Sequence, residues 1–159
     1  MTSQKITLLR CFTDGAAKKN SQTSSAGWGF YIPKLNIRKS GHMIGTNNQA
    51  ELTAVKMLFE YLIHDLNNKI PVRVFTDSKY VIGCFSGNKK NANKVLIKEI
   101  DELAVQIRLD NKASISFQHV DAHTNGTDWL SKCNDVVDKL ASDAANTKPE
   151  DVYKIVDKK

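Results

Sequence analysis

Apolar and polar positions divide the chain into strands and helices. Residues 6–13, Ile-Thr-Leu-Leu-Arg-Cys-Phe-Thr, are apolar on both parities, as in a strand buried on both faces. The strand is expected to close at Asp14-Gly15, and a polar loop follows. Residues 26–32 predict a second strand, in which Gly27 and Gly29 mark a twist or a close backbone approach. Turn chemistry at Pro33 to Asn36 joins it to a third strand, Ile37 to Ile44, as an antiparallel hairpin. A helix then places Ala54, Val55, Leu58 and Leu62 on one face. Asn48 as N-cap, with Glu51 three residues on, reads as a capping box. Counting back from Ala54 and Val55 by helical steps lands on Glu51, so a carboxylate stands at the tip of the core-facing stripe.

Ile70 to Thr76 alternates as a fourth strand, and Asp77-Ser78 begins a short helix through Phe85. After a polar, basic linker, Val95 to Leu109 carries Leu96, Ile100, Leu103 and Ile107 on one helical face. Ala113 to Val120 predicts a fifth strand. A loop through His123 leads to a last helix, expected from near Thr127 to near Ala145, whose apolar face holds Trp129, Leu130, Cys133, Val136, Val137 and Leu140.

Antiparallel strands followed by strands separated by helices imply an α/β fold. Its sheet is five-stranded and mixed, with the first three strands antiparallel, the fourth and fifth parallel to the first, and helices on the flanks. Asp14 and Asp77 then fall at C-terminal strand ends, where open α/β sheets bind their ligands. Residues 1–145 form one expected domain, and residues 146–159 a tail that is either docked or frayed.

Composition adds bounds. The 159 residues suffice for one full core, and 41% hydrophobic with 25% charged residues is ordinary for a globular protein. No apolar run is long enough to span a membrane, and the N-terminus lacks the apolar stretch of a signal peptide. Cys11, Cys84 and Cys133 are scattered, and read as reduced packing residues in a cytoplasmic protein. The net charge of +6 favours a polyanionic partner such as nucleic acid.

Asp14, Asp77 and His123 each have an ordinary reading when taken singly: a turn, a helix cap, a loop histidine. Together with Glu51 they fall at one sheet edge. Clustered carboxylates must shift their pKa values or be neutralised by a cation. Oxygen-only ligands point to Mg²⁺ or Mn²⁺, and zinc is disfavoured because no His/Cys cluster has its spacing.

Five segments, in order, resemble type 1 ribonuclease H: Phe-Thr-Asp-Gly-Ala (12–16), Thr-Asn-Asn-Gln-Ala-Glu-Leu (46–52), Phe-Thr-Asp-Ser-Lys-Tyr-Val (75–81), Val-Asp-Ala-His (120–123) and Asn-Asp-Val-Val-Asp-Lys-Leu-Ala (134–141). The resemblance implies a ribonuclease H-like fold and hydrolysis of the RNA strand of an RNA–DNA hybrid by two Mg²⁺ ions, with Mn²⁺ able to substitute. It implies Asp14, Glu51, Asp77 and Asp138 as metal ligands and catalytic carboxylates. It also implies His123 as a loop histidine assisting proton transfer or product release. Asn20, Asn47 and Asn48 match residues that read the hybrid's minor groove, and Thr46 one that holds a DNA-strand phosphate. An amide suits the first task, because it offers both donor and acceptor to a 2′-hydroxyl.

The chain departs from the pattern in four places, one of them the segment between His123 and Asp138, which is longer than usual and contains Trp129 and Leu130. Lys79 stands where the family commonly has Gln, and can contact phosphate. The tryptophan-bearing basic protrusion of many cellular members is replaced by Gly87-Asn-Lys-Lys-Asn-Ala-Asn-Lys94, so phosphate contacts are expected from Lys89, Lys90 and Lys94. The Gly usual before the loop histidine is Ala122. Alternatives are another nuclease of the superfamily, such as a junction resolvase or transposase-like enzyme, or a non-cleaving binding module. The asparagines argue against the first and the four carboxylates against the second. With no hybrid-binding extension before Ile6, the chain reads as a stand-alone catalytic domain; Met1 and the short leader favour a free protein over a domain excised from a reverse transcriptase, and a monomer with no obligate protein partner is expected.

Overall fold

In a computed structural model, residues 6–87, 92–122 and 126–147 are described. Five strands, β1 (Leu9–Ala17), β2 (Ser25–Ile32), β3 (Ile37–Ile44), β4 (Val72–Thr76) and β5 (Ile115–His119), form one sheet in the order β3-β2-β1-β4-β5. β1, β2 and β3 pair antiparallel, and β4 and β5 run parallel to β1, as the element pattern predicts.

Helices α1 (Asn47–Glu60), α2 (Lys79–Cys84) and α3 (Lys94–Leu109) are followed by α4 (Trp129–Asn146) after β5. α1 and α3 cover one sheet face, where Leu9, Cys11, Val72 and Val74 meet Leu52, Val55, Leu58, Ile100 and Ile107. α4 packs across β2, β1 and β3 on the other face. There Phe12 and Phe75 stack at 4.8 Å and join Val120, Cys133 and Val137 in a second core. The alternation of β1 therefore feeds both cores, which is why its apolar residues fall on both parities.

Three differences from the sequence reading bear on the site. β1 does not close at Asp14, because its pairing with β4 stops at Phe12↔Phe75 while its pairing with β2 continues to Ala17↔Ala26. α1 is capped by Thr46, whose side chain accepts from the Gln49 N–H while the Gln49 side chain accepts from the Thr46 N–H. The box is thus Thr46–Gln49, not Asn48–Glu51. α4 starts at Trp129 rather than near Thr127, with Asp128 as its N-cap. Gly27 explains how α4 lies so close to the sheet: a Cβ there would meet the Ala141 carbonyl oxygen at 2.3 Å.

Candidate active site

Two capping residues free two acids. Thr46 satisfies the first turn of α1, and Ser78 accepts from the Val81 N–H to cap α2. Glu51 and Asp77 are relieved of that task. Glu51 lies one turn into α1 and faces β1, where the Gly15 N–H donates to its Oε1 at 2.5 Å. This contact needs glycine, since a Cβ on Gly15 would meet Ala50 C and Glu51 N at 2.3 Å. Asp14 and Asp77 each stand two residues beyond Phe12 and Phe75, the last pair joining β1 to β4. Both carboxylates therefore emerge past the same edge of the parallel pair.

One oxygen from each of Asp14, Glu51 and Asp77 lies within 4.8 Å of the others. Asp14 is 4% and Glu51 6% exposed, and Asp77 is half-buried. Burial, first, raises the Asp14 pKa, and the neighbouring Glu51, Asp77 and Asp138 raise it further. Burial also raises Glu51, as do the charges of Asp77 and Asp138, opposed by hydrogen bonds from Asp14 and Gly15. Without a cation, burial and mutual repulsion favour a proton shared between Asp14 and Glu51. The donor set is all oxygen and demands positive charge, which fits a hard divalent cation.

Asp138 and Asp135 separate by helical face. Asp135 is exposed on α4, while Asp138 is half-buried, sharing its face with buried Asn134, Ala141 and Ala145. Asn134 was not singled out as a site residue in the sequence reading. It is 2% exposed, donates from Nδ2 to Asp77 Oδ2 at 3.3 Å, and its Oδ1 is buried with no partner among the described residues. The signal for it was its place one helical turn before Asp138.

Asn20 Oδ1 accepts from the Asn47 N–H at 3.1 Å, tying the loop after β1 to the start of α1. Asn20, Asn47 and Asn48 are exposed together with Lys79 and Lys94. Gln22 and Asn93, also absent from the sequence reading, hold the Gln49 amide at 3.0 and 3.2 Å. Asn93 further donates to the Tyr80 hydroxyl at 3.0 Å, linking α1, α2 and α3. His123, Lys89 and Lys90 lie outside the described residues.

The sheet order and its flanking helices define the ribonuclease H-like fold. LC11-RNase H1, isolated from compost by a metagenomic approach and solved in complex with an RNA/DNA hybrid, is similar at TM-score 0.65 and 23% identity, over 87% of this chain and 96% of that one. The RNase H family model matches residues 7–146, so the chain belongs to the RNase H family and is an enzyme of the ribonuclease H class. Ribonuclease H of Tropheryma whipplei strain Twist is 33% identical over 148 residues, spanning 84% of this chain and 82% of its own. That of Ruthia magnifica is 32% identical over 142 residues, spanning 82% and 90%. No helix among the described residues is long and apolar enough to cross a membrane.

Proposed function

We propose that this enzyme hydrolyses the RNA strand of RNA–DNA hybrids in a divalent-metal-dependent reaction that leaves 5′-phosphate and 3′-hydroxyl ends. The observation that carries the reading is the acidic triad of buried Asp14 and Glu51 with half-buried Asp77, its oxygens within 4.8 Å, in a family member of net charge +6. A similar fold holding an RNA/DNA hybrid supports the substrate class.

Asp14, Glu51, Asp77 and Asp138 would hold two Mg²⁺ ions. When bound, such ions lower the pKa of the attacking water and stabilise the leaving oxygen. The chain's own groups prepare this. Burial strips water from the carboxylates, and the proton shared by Asp14 and Glu51 would leave as cations bind. The Gly15 N–H fixes the Glu51 carboxylate. His123 would carry a proton or assist product release. Asn20, Asn47 and Asn48 would meet the minor groove, where the 2′-hydroxyl distinguishes RNA from DNA. The Thr46 oxygen accepts from Gln49, which leaves its O–H to donate to a DNA-strand phosphate. Lys79, Lys89, Lys90 and Lys94 would add salt-sensitive phosphate contacts.

The test offers labelled hybrid, double-stranded RNA, double-stranded DNA and a four-way junction, each with Mg²⁺ and with chelator. Cutting confined to the RNA of the hybrid and abolished by chelator is expected. Equal cutting of double-stranded RNA or of the junction would refute the substrate.

A further inference from the structure

On the α4 side of the sheet, Arg10 of β1 stands directly across from Arg73 of β4. The stacking of the next pair, Phe12 and Phe75, fixes the shared orientation of this row. Two like charges on adjacent positions of neighbouring strands, backbones about 4.8 Å apart, repel. Neither guanidinium has a carboxylate partner among the described residues; Arg73 has only the Ser116 hydroxyl, at 3.4 Å. A locally unfavourable arrangement with no compensating charge among the described residues points to an anion supplied from outside.

The wall beside this pair is aromatic. Trp129 opens α4 and rests its ring edge-on against Phe12, centroids 5.6 Å apart at 75°. It remains 49% exposed. Arg10, Arg73, Phe75, Gln118, Trp129 and Leu130 line a cleft of about 440 Å³. A second cleft, of about 460 Å³, continues from Arg10 and Trp129 to Lys34. The arginine row lies four residues before Asp14 on the same strand parity, about 13 Å from the acidic cluster at ~3.3 Å per residue.

We infer that this cleft binds single-stranded nucleic acid, with a phosphodiester on Arg10 and Arg73 and a base stacked on Trp129. The inference rests on the proposed hybrid-cleaving reading and deepens it: the occupant is the unpaired strand flanking a hybrid. Paired guanidinium groups suit phosphate oxygens, and an exposed indole suits any base, a combination typical of sequence-tolerant single-strand sites. The continuation of the groove toward Lys34 favours a polymer over a mononucleotide.

The experiment titrates the full chain, in chelator, with single-stranded oligothymidylate while following tryptophan emission. Saturable quenching is expected in the parent and its loss in Trp129→Phe, where Trp28 is the remaining indole. Arg10→Ala with Arg73→Ala should weaken binding by roughly tenfold or more and flatten its salt dependence. The same double variant should keep or raise its Tm, because a repulsion is removed; a purely structural role would lower it. Oligothymidylate affinity unchanged in the arginine variant would overturn the site. So would thymidine monophosphate, inorganic phosphate or an oligoglutamate peptide binding as tightly as the oligonucleotide. Chelator makes the binding independent of cleavage, so an inactive parent would count against the proposed function and not against this cleft.

Discussion

Replacing Gly15 with Ala tests the joint on which the site is built. The added Cβ would meet the Ala50 carbonyl carbon and the Glu51 nitrogen at 2.3 Å, against ordinary contacts of 3.4–4 Å. Both obstacles are backbone, so no rotamer change relieves them. The first turn of α1 must move off β1 by on the order of 1 Å, at an overpacking cost of about 1–3 kcal/mol. In a domain of this size each kcal/mol lowers Tm by about 2–4 °C, so a fall of roughly 2–12 °C is expected. The same movement stretches the Gly15 N–H···Glu51 bond and displaces one of the clustered carboxylates. A misplacement of that size can cost about a hundredfold in turnover. The assay pairs thermal melts with initial rates on labelled hybrid in Mg²⁺. Unchanged Tm together with parental turnover would refute the close α1–β1 contact as the support of Glu51.

Asp138→Asn should lower turnover by orders of magnitude with hybrid affinity largely kept, whereas Asp135→Asn stays within a few-fold; the reverse outcome in steady-state kinetics would mean the α4 face is misassigned. Asp14 and Glu51 have folded pKa values raised above their unfolded ones. Their contribution is thus fully present below the unfolded pKa, and metal-free stability is lost as pH rises from there through the folded values. Chelated melts should show Tm declining over that window, less so in Asp14→Asn, and a Tm rising with pH would contradict the sign. Thr46→Ala should cost about 1 kcal/mol by chemical denaturation. Asn48→Ala should be nearly neutral, because Thr46 is the cap.

The sheet and its acids were legible because alternation and turn chemistry place strand ends without tertiary information. Phe12 and Phe75 each precede an acid by two residues, so the register that stacks them also aligns Asp14 with Asp77. The α1 cap was misread because two boxes overlap: Thr46–Gln49 and Asn48–Glu51 both satisfy the capping spacing. The choice is tertiary, since Glu51 turns to the Gly15 N–H while the Gln22 and Asn93 side chains hold Gln49. The extension of β1 past Asp14 was hidden in Gly15-Ala16-Ala17, whose small residues carry little strand propensity and pair only because β2 lies opposite. Asn134 and the Arg10–Arg73 pair depend on helix-to-sheet distance and strand register, which periodicity along one chain does not encode.

Direct cation binding tests the central claim, that the buried acids form a divalent metal site. Mn²⁺ is titrated into the nucleic-acid-free protein and free ion is followed by its electron paramagnetic resonance signal. The account predicts saturable binding by the parent and its severe weakening in Asp14→Asn, Glu51→Gln and Asp77→Asn, with Asp135→Asn behaving as the parent. Binding of equal strength in the parent and in all three acid variants would contradict it.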